Sequence, residues 1–153
     1  MSDLREILSF LDTLRLNNNR EWFNAHKEEY RVAQARFDAI VERLISELQV
    51  LDPSLGTLSA RDCTYRIYRD TRFSPDKTPY KTHMSAYICP HGRKSGYAGY
   101  YLHIEPIGDG LLGRSIIASG AHCPLPKFVQ SIREEILDNG AGFDQSVKRA
   151  EGW

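Results

Sequence analysis

Thr64-Tyr65-Arg66-Ile67-Tyr68-Arg69 is where the chain changes period. Tyr65 and Ile67 point one way and Arg66 and Tyr68 the other, which is the two-residue repeat of a half-buried strand. Downstream, Met84 to Cys89 reads as a second strand and Tyr97 to Glu105 as a third, joined by the turn-rich stretch Pro90 to Gly96. In the third strand Ala98, Tyr100, Leu102 and Ile104 share a face opposite Tyr101, His103 and Glu105. Gly113 to Ser119 predicts a fourth strand. A helix starts near Pro126, with Phe128, Val129, Ile132 and Ile136 inward and Gly140 as its stop.

Upstream of the switch the repeat is helical. Leu4, Ile7, Leu8, Leu11 and Leu14 form one apolar stripe. Asn17-Asn18-Asn19 breaks it, and Asn18 with Glu21 three residues later has the form of a capping box. A second helix runs from about Arg20 to Leu51 on Trp22, Tyr30, Ala33, Phe37, Val41, Leu44 and Leu48, widened by Phe23, Ile40 and Ile45. Such a helix would span about 45 Å, so a bend or break is expected near Arg31 to Gln34. Asp52-Pro53 ends it, because proline disfavours a helical residue before it. The expected fold is α+β: an N-terminal helical hairpin with a long second helix, an antiparallel sheet of about four strands, and a C-terminal helix. One domain covers 1–153, with helices over 1–52, sheet over 62–120 and helix over 125–140.

The 153 residues carry 20 Lys+Arg and 20 Asp+Glu, a balance that excludes a protein coating polyanions with its whole surface. No apolar run approaches the ~18 residues of a membrane span, and the N-terminus is amphipathic rather than signal-like. Three cysteines, at 63, 89 and 123, make no CxxC and no even framework, so a reduced, cytoplasmic protein without membrane association is expected.

Neutrality conceals one unusual segment. Tyr65 to His83 holds five Lys/Arg against two Asp, a net of +3, which leaves −3 on the remainder. Arg66, Arg69 and Arg72 recur every third residue among Tyr65, Tyr68, Phe73 and Tyr80. Guanidinium forks suit oxyanions, aromatic neighbours offer stacking surface, and Pro75 and Pro79 stiffen the presentation of Lys77 and Lys81. A site for a small phosphate- or carboxylate-bearing ligand is one reading, on Arg66, Tyr68, Arg69, Arg72, Lys77, Tyr80, Lys81 and His83. In a second, the same cations contact nucleic-acid phosphates while Tyr68, Phe73 or Tyr80 stack on bases. A third is an interaction or scaffold protein whose arginines pair with Glu28, Glu42 or Glu47 of the long helix.

The run RIYRDTRFSPDKTPYKTH resembles the signature of a widespread bacterial family of conserved hypothetical proteins, domain of unknown function 2461. Asn18 to Phe23 with Tyr30, Gly99 to Pro106, and Ile132 to Ile136 match its other pieces in order. The resemblance brings no established activity. Members of that family continue past the point matching Trp153, which implies that this chain is C-terminally short or a fragment.

If Arg66 and Tyr68 face away from the helices, Tyr101, His103 and Glu105 line the same surface, and His103 with Glu105 becomes a general acid/base pair. The alternative is a strand whose polar face is simply wet. Asp70 is a further catalytic candidate. Ser74 and Ser85 lack a glycine elbow and Cys63 lacks an adjacent base, which weakens nucleophile readings. Whether the chain is an enzyme stays open. Gly108-Asp109-Gly110-Leu111-Leu112-Gly113 matches G-x-G-x-x-G, but strand rather than helix follows, so a hairpin loop is expected. Cys89 with His91 and His122 with Cys123 do not follow zinc-finger spacing, and no metal or other cofactor is predicted. His26, one turn from Trp22 and from Tyr30, reads as a satisfied core histidine.

Overall fold

The computed structural model describes residues 2–122 and 124–150, the side chains of residues 2 and 150 excepted. It divides into two units, residues 1–120 and 121–153. The first opens with helix α1 (Ser2–Leu16), which buries Ile7, Phe10, Leu11 and Leu14 at helical spacing. Helix α3 (Lys27–Leu51) lies against α1 and buries Ala33, Phe37, Val41 and Ile45. Each of the larger side chains taken from water contributes roughly 1.5–3 kcal/mol, and Ala33 less, so these facing stripes hold the pair together. Arg36 adds ion pairs to Asp3 and to Glu6 across it.

The expected long second helix is two helices, and the break falls earlier than Arg31. Short helix α2 (Arg20–Ala25) ends at His26, and α3 runs unbroken through residues 31–34. His26 serves as a cap: its Nδ1 lies 2.8 Å from the Trp22 carbonyl and its ring stacks on Trp22 at 4.1 Å. It is a satisfied histidine at a helix junction rather than in the core. The cap of α2 is Asn19, not Asn18, and its side chain accepts from the Trp22 amide. Asn18 instead brackets residue 80, donating to the Tyr80 carbonyl at 2.9 Å and accepting from its amide at 3.1 Å. After α3 come a 3-10 turn (Pro53–Leu55) and helix α4 (Ala60–Cys63).

The sheet has three strands, not four: β1 (Met84–Ile88), β2 (Gly99–Ile104) and β3 (Ile116–Gly120), antiparallel in that order. The expected strand over 64–69 changes partner midway and so builds no ladder. Thr64 bridges Ala86 and the Tyr65 amide donates to Ser85, beside β1. Two residues on, the chain turns to 79–81 instead, with Tyr68 bridging Tyr80 and the Lys81 amide donating to Ile67. Pro79 has no amide hydrogen to extend that second pairing. One sheet face, through Met84, Ala86, Ile88 and Ile104, completes the apolar core of α1 and α3.

The second unit contains α5 (Pro126–Asp138) and α6 (Gly140–Ala150), which contact each other. Helix α5 begins at Pro126 as expected and is capped by Asn139; Gly140 begins a further helix rather than a tail. The architecture is α+β, with a helical N-terminal part and the sheet in the first unit. Among the described residues, no helix is long and apolar enough to cross a membrane.

Candidate functional site

The second face of the sheet is polar and covered. Register sets Ser85 opposite His103 and Tyr87 opposite Tyr101, so alternation turns these side chains away from the apolar core. His103 is 0% exposed and Glu105 2%. The wet strand face held open as an alternative is therefore not what forms.

Glu105 organises this face. Its Oε1 accepts from the Leu111 amide at 2.6 Å, and its Oε2 from the amides of Leu112 at 2.7 Å and Gly113 at 2.9 Å. His103 Nε2 lies 3.1 Å from the same Oε2, and Thr82 Oγ1 lies 3.4 Å from Oε1. Burial pushes the Glu105 carboxyl up, but the Leu112 amide, His103 and the Leu111 amide outweigh it and hold the group below its ordinary range. The acid thus stays an anion while almost wholly buried. Because an ionised carboxylate only accepts, His103 Nε2 carries the proton between them, and its Nδ1 lies 3.0 Å from the Tyr101 hydroxyl. Tyr101, His103 and Glu105 form one hydrogen-bonded chain.

The glycine run explains how the loop approaches so closely. A Cβ at Gly110 would overlap the Glu105 carboxylate, and Gly113 has φ +65° with the Gly108 carbonyl in its Cβ position. Arg15 of α1 pairs with Asp109 and ties the same loop to the helices. The G-x-G-x-x-G match is, as expected, a loop rather than a dinucleotide turn, and it wraps the protein's own carboxylate.

His83 completes the cluster. Its ring stacks on His103 at 4.4 Å, and its Nδ1 stands 3.9 Å from Glu105 Oε1, too far for a hydrogen bond. That Nδ1 is buried without a partner. A buried polar atom left so costs about 1–3 kcal/mol. Burial, then the stacked His103, push the His83 pKa down to about 4; Glu105 pulls the other way, and Lys81 and Arg69 add to the lowering. His83 is therefore a neutral imidazole at neutral pH.

The basic segment separates into two groups. Arg72 grips Asp70 through its Nε at 2.9 Å and its Nη2 at 2.6 Å, and Arg69 pairs with Asp76 and Thr78. Lys77 donates to the Thr71 carbonyl at 2.9 Å. These partners lie in the same loop, and none is Glu28, Glu42 or Glu47 of the long helix. Asp70 is engaged by Arg72, which lowers its carboxyl pKa, and makes no hydrogen bond to His103 or Glu105. Arg66 is exposed and, among the described residues, makes no hydrogen bond or ion pair. Lys81 is half-buried, with its Nζ 5.5 Å from the Tyr65 ring centre; Arg93 approaches that ring at 5.8 Å. Burial first, and then Arg66, lower the Lys81 pKa.

The aromatics belong elsewhere. Tyr80 is buried and stacks on Phe23 at 3.9 Å, and Tyr68 meets Phe23 edge-on at 5.9 Å. Tyr68 therefore leans on α2 and does not share a surface with His103. The structure joins His83, His103 and Glu105, places Lys81 and Arg69 near enough to act on His83 and Arg66 beside Lys81, and sends Asp70, Arg72, Lys77, Tyr68 and Tyr80 elsewhere. Reading the sequence placed Tyr101 on this face with His103 and Glu105 but missed Thr82 and the amides of 111–113. The available signal was a glycine-dense run a few residues beyond a carboxylate at a strand end.

Cys89 contacts the Gly92 carbonyl and forms no ligand cluster with His91, while Cys123 lies outside the described residues. A cavity of about 370 Å³ between α1 and α3 is lined by Glu6, Glu28 and Glu29 as well as Phe10 and Val32, and three carboxylates make it a poor seat for an anion.

Fold and site define an α+β protein with a buried imidazole–carboxylate cluster on one face of a three-stranded sheet, bordered by a basic segment. The chain belongs to the conserved hypothetical protein family DUF2461, whose model matches residues 6–152. None of the curated proteins and none of the solved structures matches it.

Proposed function

We propose that the protein binds a small phosphate- or carboxylate-bearing molecule at the rim of the polar sheet face, with Arg66 and Lys81 as the principal cations. Unequal pairing of the basic segment carries this reading. Arg69, Arg72 and Lys77 already have oxygen partners, whereas Arg66 and Lys81, among the described residues, make no hydrogen bond or ion pair, although Arg66 stands near enough to Asp70 to help lower its carboxyl pKa. Two like charges near enough to disfavour one another gain most from a shared anion. Tyr65 beside Lys81 and the neutral His83 supply stacking and hydrogen-bonding surface of the kind such ligands use.

Thermal shift and calorimetric titration with inorganic phosphate, a sugar phosphate and a dicarboxylate test it. Stabilisation by at least one of them, weakened about tenfold or more in Lys81→Ala, is the expected result, since a charged hydrogen bond is worth roughly 1.5–3 kcal/mol. Absence of stabilisation by all three, or equal stabilisation of the variant, overturns it.

A second reading has its own observation: Phe73 is 93% exposed with the Arg72 guanidinium 5.9 Å from its ring. That is a stacking platform of the type that holds single-stranded nucleic acid. It requires affinity that falls steeply with salt, with a log–log slope reflecting about three to five phosphates. A flat salt response rules it out.

A further inference from the structure

We propose that His83, His103 and Glu105 form a binding site for one divalent transition-metal ion of the zinc type, contrary to the expectation from sequence that no metal is held. Each of the three offers one donor atom, and these atoms all lie within 4.8 Å of one another. No other such group of three or more His, Cys, Asp or Glu occurs among the described residues. Two imidazoles and one carboxylate are a zinc-type donor set, and three protein ligands leave a position for water or an anion.

As a set, the donors stand wider than in a loaded site, within 4.8 Å of one another, and the two imidazoles face different oxygens of the Glu105 carboxylate. Donors bound at about 2.1 Å around a tetrahedral ion stand about 3.4 Å apart. His103 Nε2 and Glu105 Oε2 are 3.1 Å apart, and His83 Nδ1 and Glu105 Oε1 are 3.9 Å apart. At 3.9 Å the second gap leaves the buried His83 Nδ1 without a hydrogen bond, while Glu105 Oε1 is held by the Leu111 amide. The buried, unpartnered His83 Nδ1 is the independent observation: a ring nitrogen 3.9 Å from Glu105 Oε1 with no hydrogen bond of its own, able to ligate when it carries no proton. An ion between them satisfies both.

The surroundings suit this assignment. His83 is the least buried member of the three, at 10% side-chain exposure against 0% for His103 and 1% for Glu105, so it marks the side of entry. Both imidazoles must ligate as neutral rings. The Leu111, Leu112 and Gly113 amides orient the carboxylate as outer partners of metal ligands do. Tyr101 does the same for His103. Ligation through Nε2 requires that nitrogen to be free of its proton, and Nδ1, 3.0 Å from the Tyr101 oxygen, is then the ring nitrogen that carries one.

This proposal does not need the anion reading, because the ion alone is the probe. The full chain, stripped with a chelator and desalted, is titrated with Zn²⁺ by calorimetry and with Co²⁺ by visible absorption. The expected result is one equivalent bound, with a cobalt spectrum free of thiolate charge-transfer bands. His83→Gln is expected to lower affinity at least tenfold and Tyr101→Phe by about tenfold, the size of effect that ligands and their outer partners show. No saturable binding, a thiolate band, or affinity unchanged in His83→Gln overturns the proposal. Should His83→Gln fail to fold, imidazole ¹⁵N spectra of the wild type decide. Zinc-dependent shifts of His83 Nδ1 and His103 Nε2 support the site, and their absence contradicts it.

Discussion

Two polar regions of this molecule are built on opposite terms. In the loop from Asp70 to Thr78, charges find partners a few residues away: Arg72 holds Asp70, and Arg69 holds Asp76 and Thr78. All of these carboxylates remain in or near water, where such pairs are worth at most about 1 kcal/mol. On the polar sheet face, Glu105 draws its partners from three separate segments, the loop 111–113, strand residue His103 and Thr82, and is almost wholly buried. A high local density of charge thus marked the region that neutralises itself. The other region is assembled from residues distant in the chain, and there a buried ring nitrogen of His83 is left unmatched.

Removing the buried carboxylate tests this contrast with the largest expected effect. Glu105→Ala strands three amides and leaves His103 Nε2 without an acceptor, so it is expected to cost on the order of 3–5 kcal/mol, read by thermal or urea unfolding. A loss under about 1 kcal/mol would mean that the cluster carries little of the fold. Gly110→Ala comes next. The added methyl overlaps the carboxylate, so the loop or Glu105 must move, at about 1–3 kcal/mol. Arg72→Ala is expected to leave the unfolding midpoint indistinguishable from that of the wild type, because its ion pair is exposed and local.

The smallest effect is one of pH. Arg69, with the Thr78 amide and hydroxyl, draws the Asp76 carboxyl down to about 2, below its ordinary value near 3.8. A carboxylate lowered in the folded state contributes stability that is present above the ordinary value and lost as pH falls towards the lowered one. Acid titration by NMR should therefore show Asp76 protonating near pH 2, with loop shifts that follow it. A midpoint near 4 would mean that the loop pairs are not populated in solution.

Much of the fold could be read from spacing. The stripes of Ile7, Leu11 and Leu14 and of Ala33, Phe37 and Val41, the end at Asp52-Pro53, and the opposed faces of Tyr97 to Glu105 are all local patterns, and all appear. The errors came where pairing between distant segments overrode local preference. Thr64 to Arg69 has strand alternation, yet splits its hydrogen bonds between Ser85 and residues 79–81. The helix break at His26 depends on a ring stacked on Trp22 and a ring nitrogen against the Trp22 carbonyl, which apolar periodicity does not register. His103 and Glu105 were legible as a pair because they alternate on one strand. His83 was legible only as part of a motif, since its place over His103 is fixed by tertiary packing.

The central claim is that binding chemistry lies with the unpaired cations at the sheet face and not with the self-paired loop. Anion affinity, measured at one salt concentration, separates the two when Arg66→Ala/Lys81→Ala is set beside Arg69→Ala/Arg72→Ala. The sheet-face variant is expected to lose about tenfold or more while the loop variant stays within about twofold of the wild type. The reverse order, with the loop variant the weaker binder, would contradict the account.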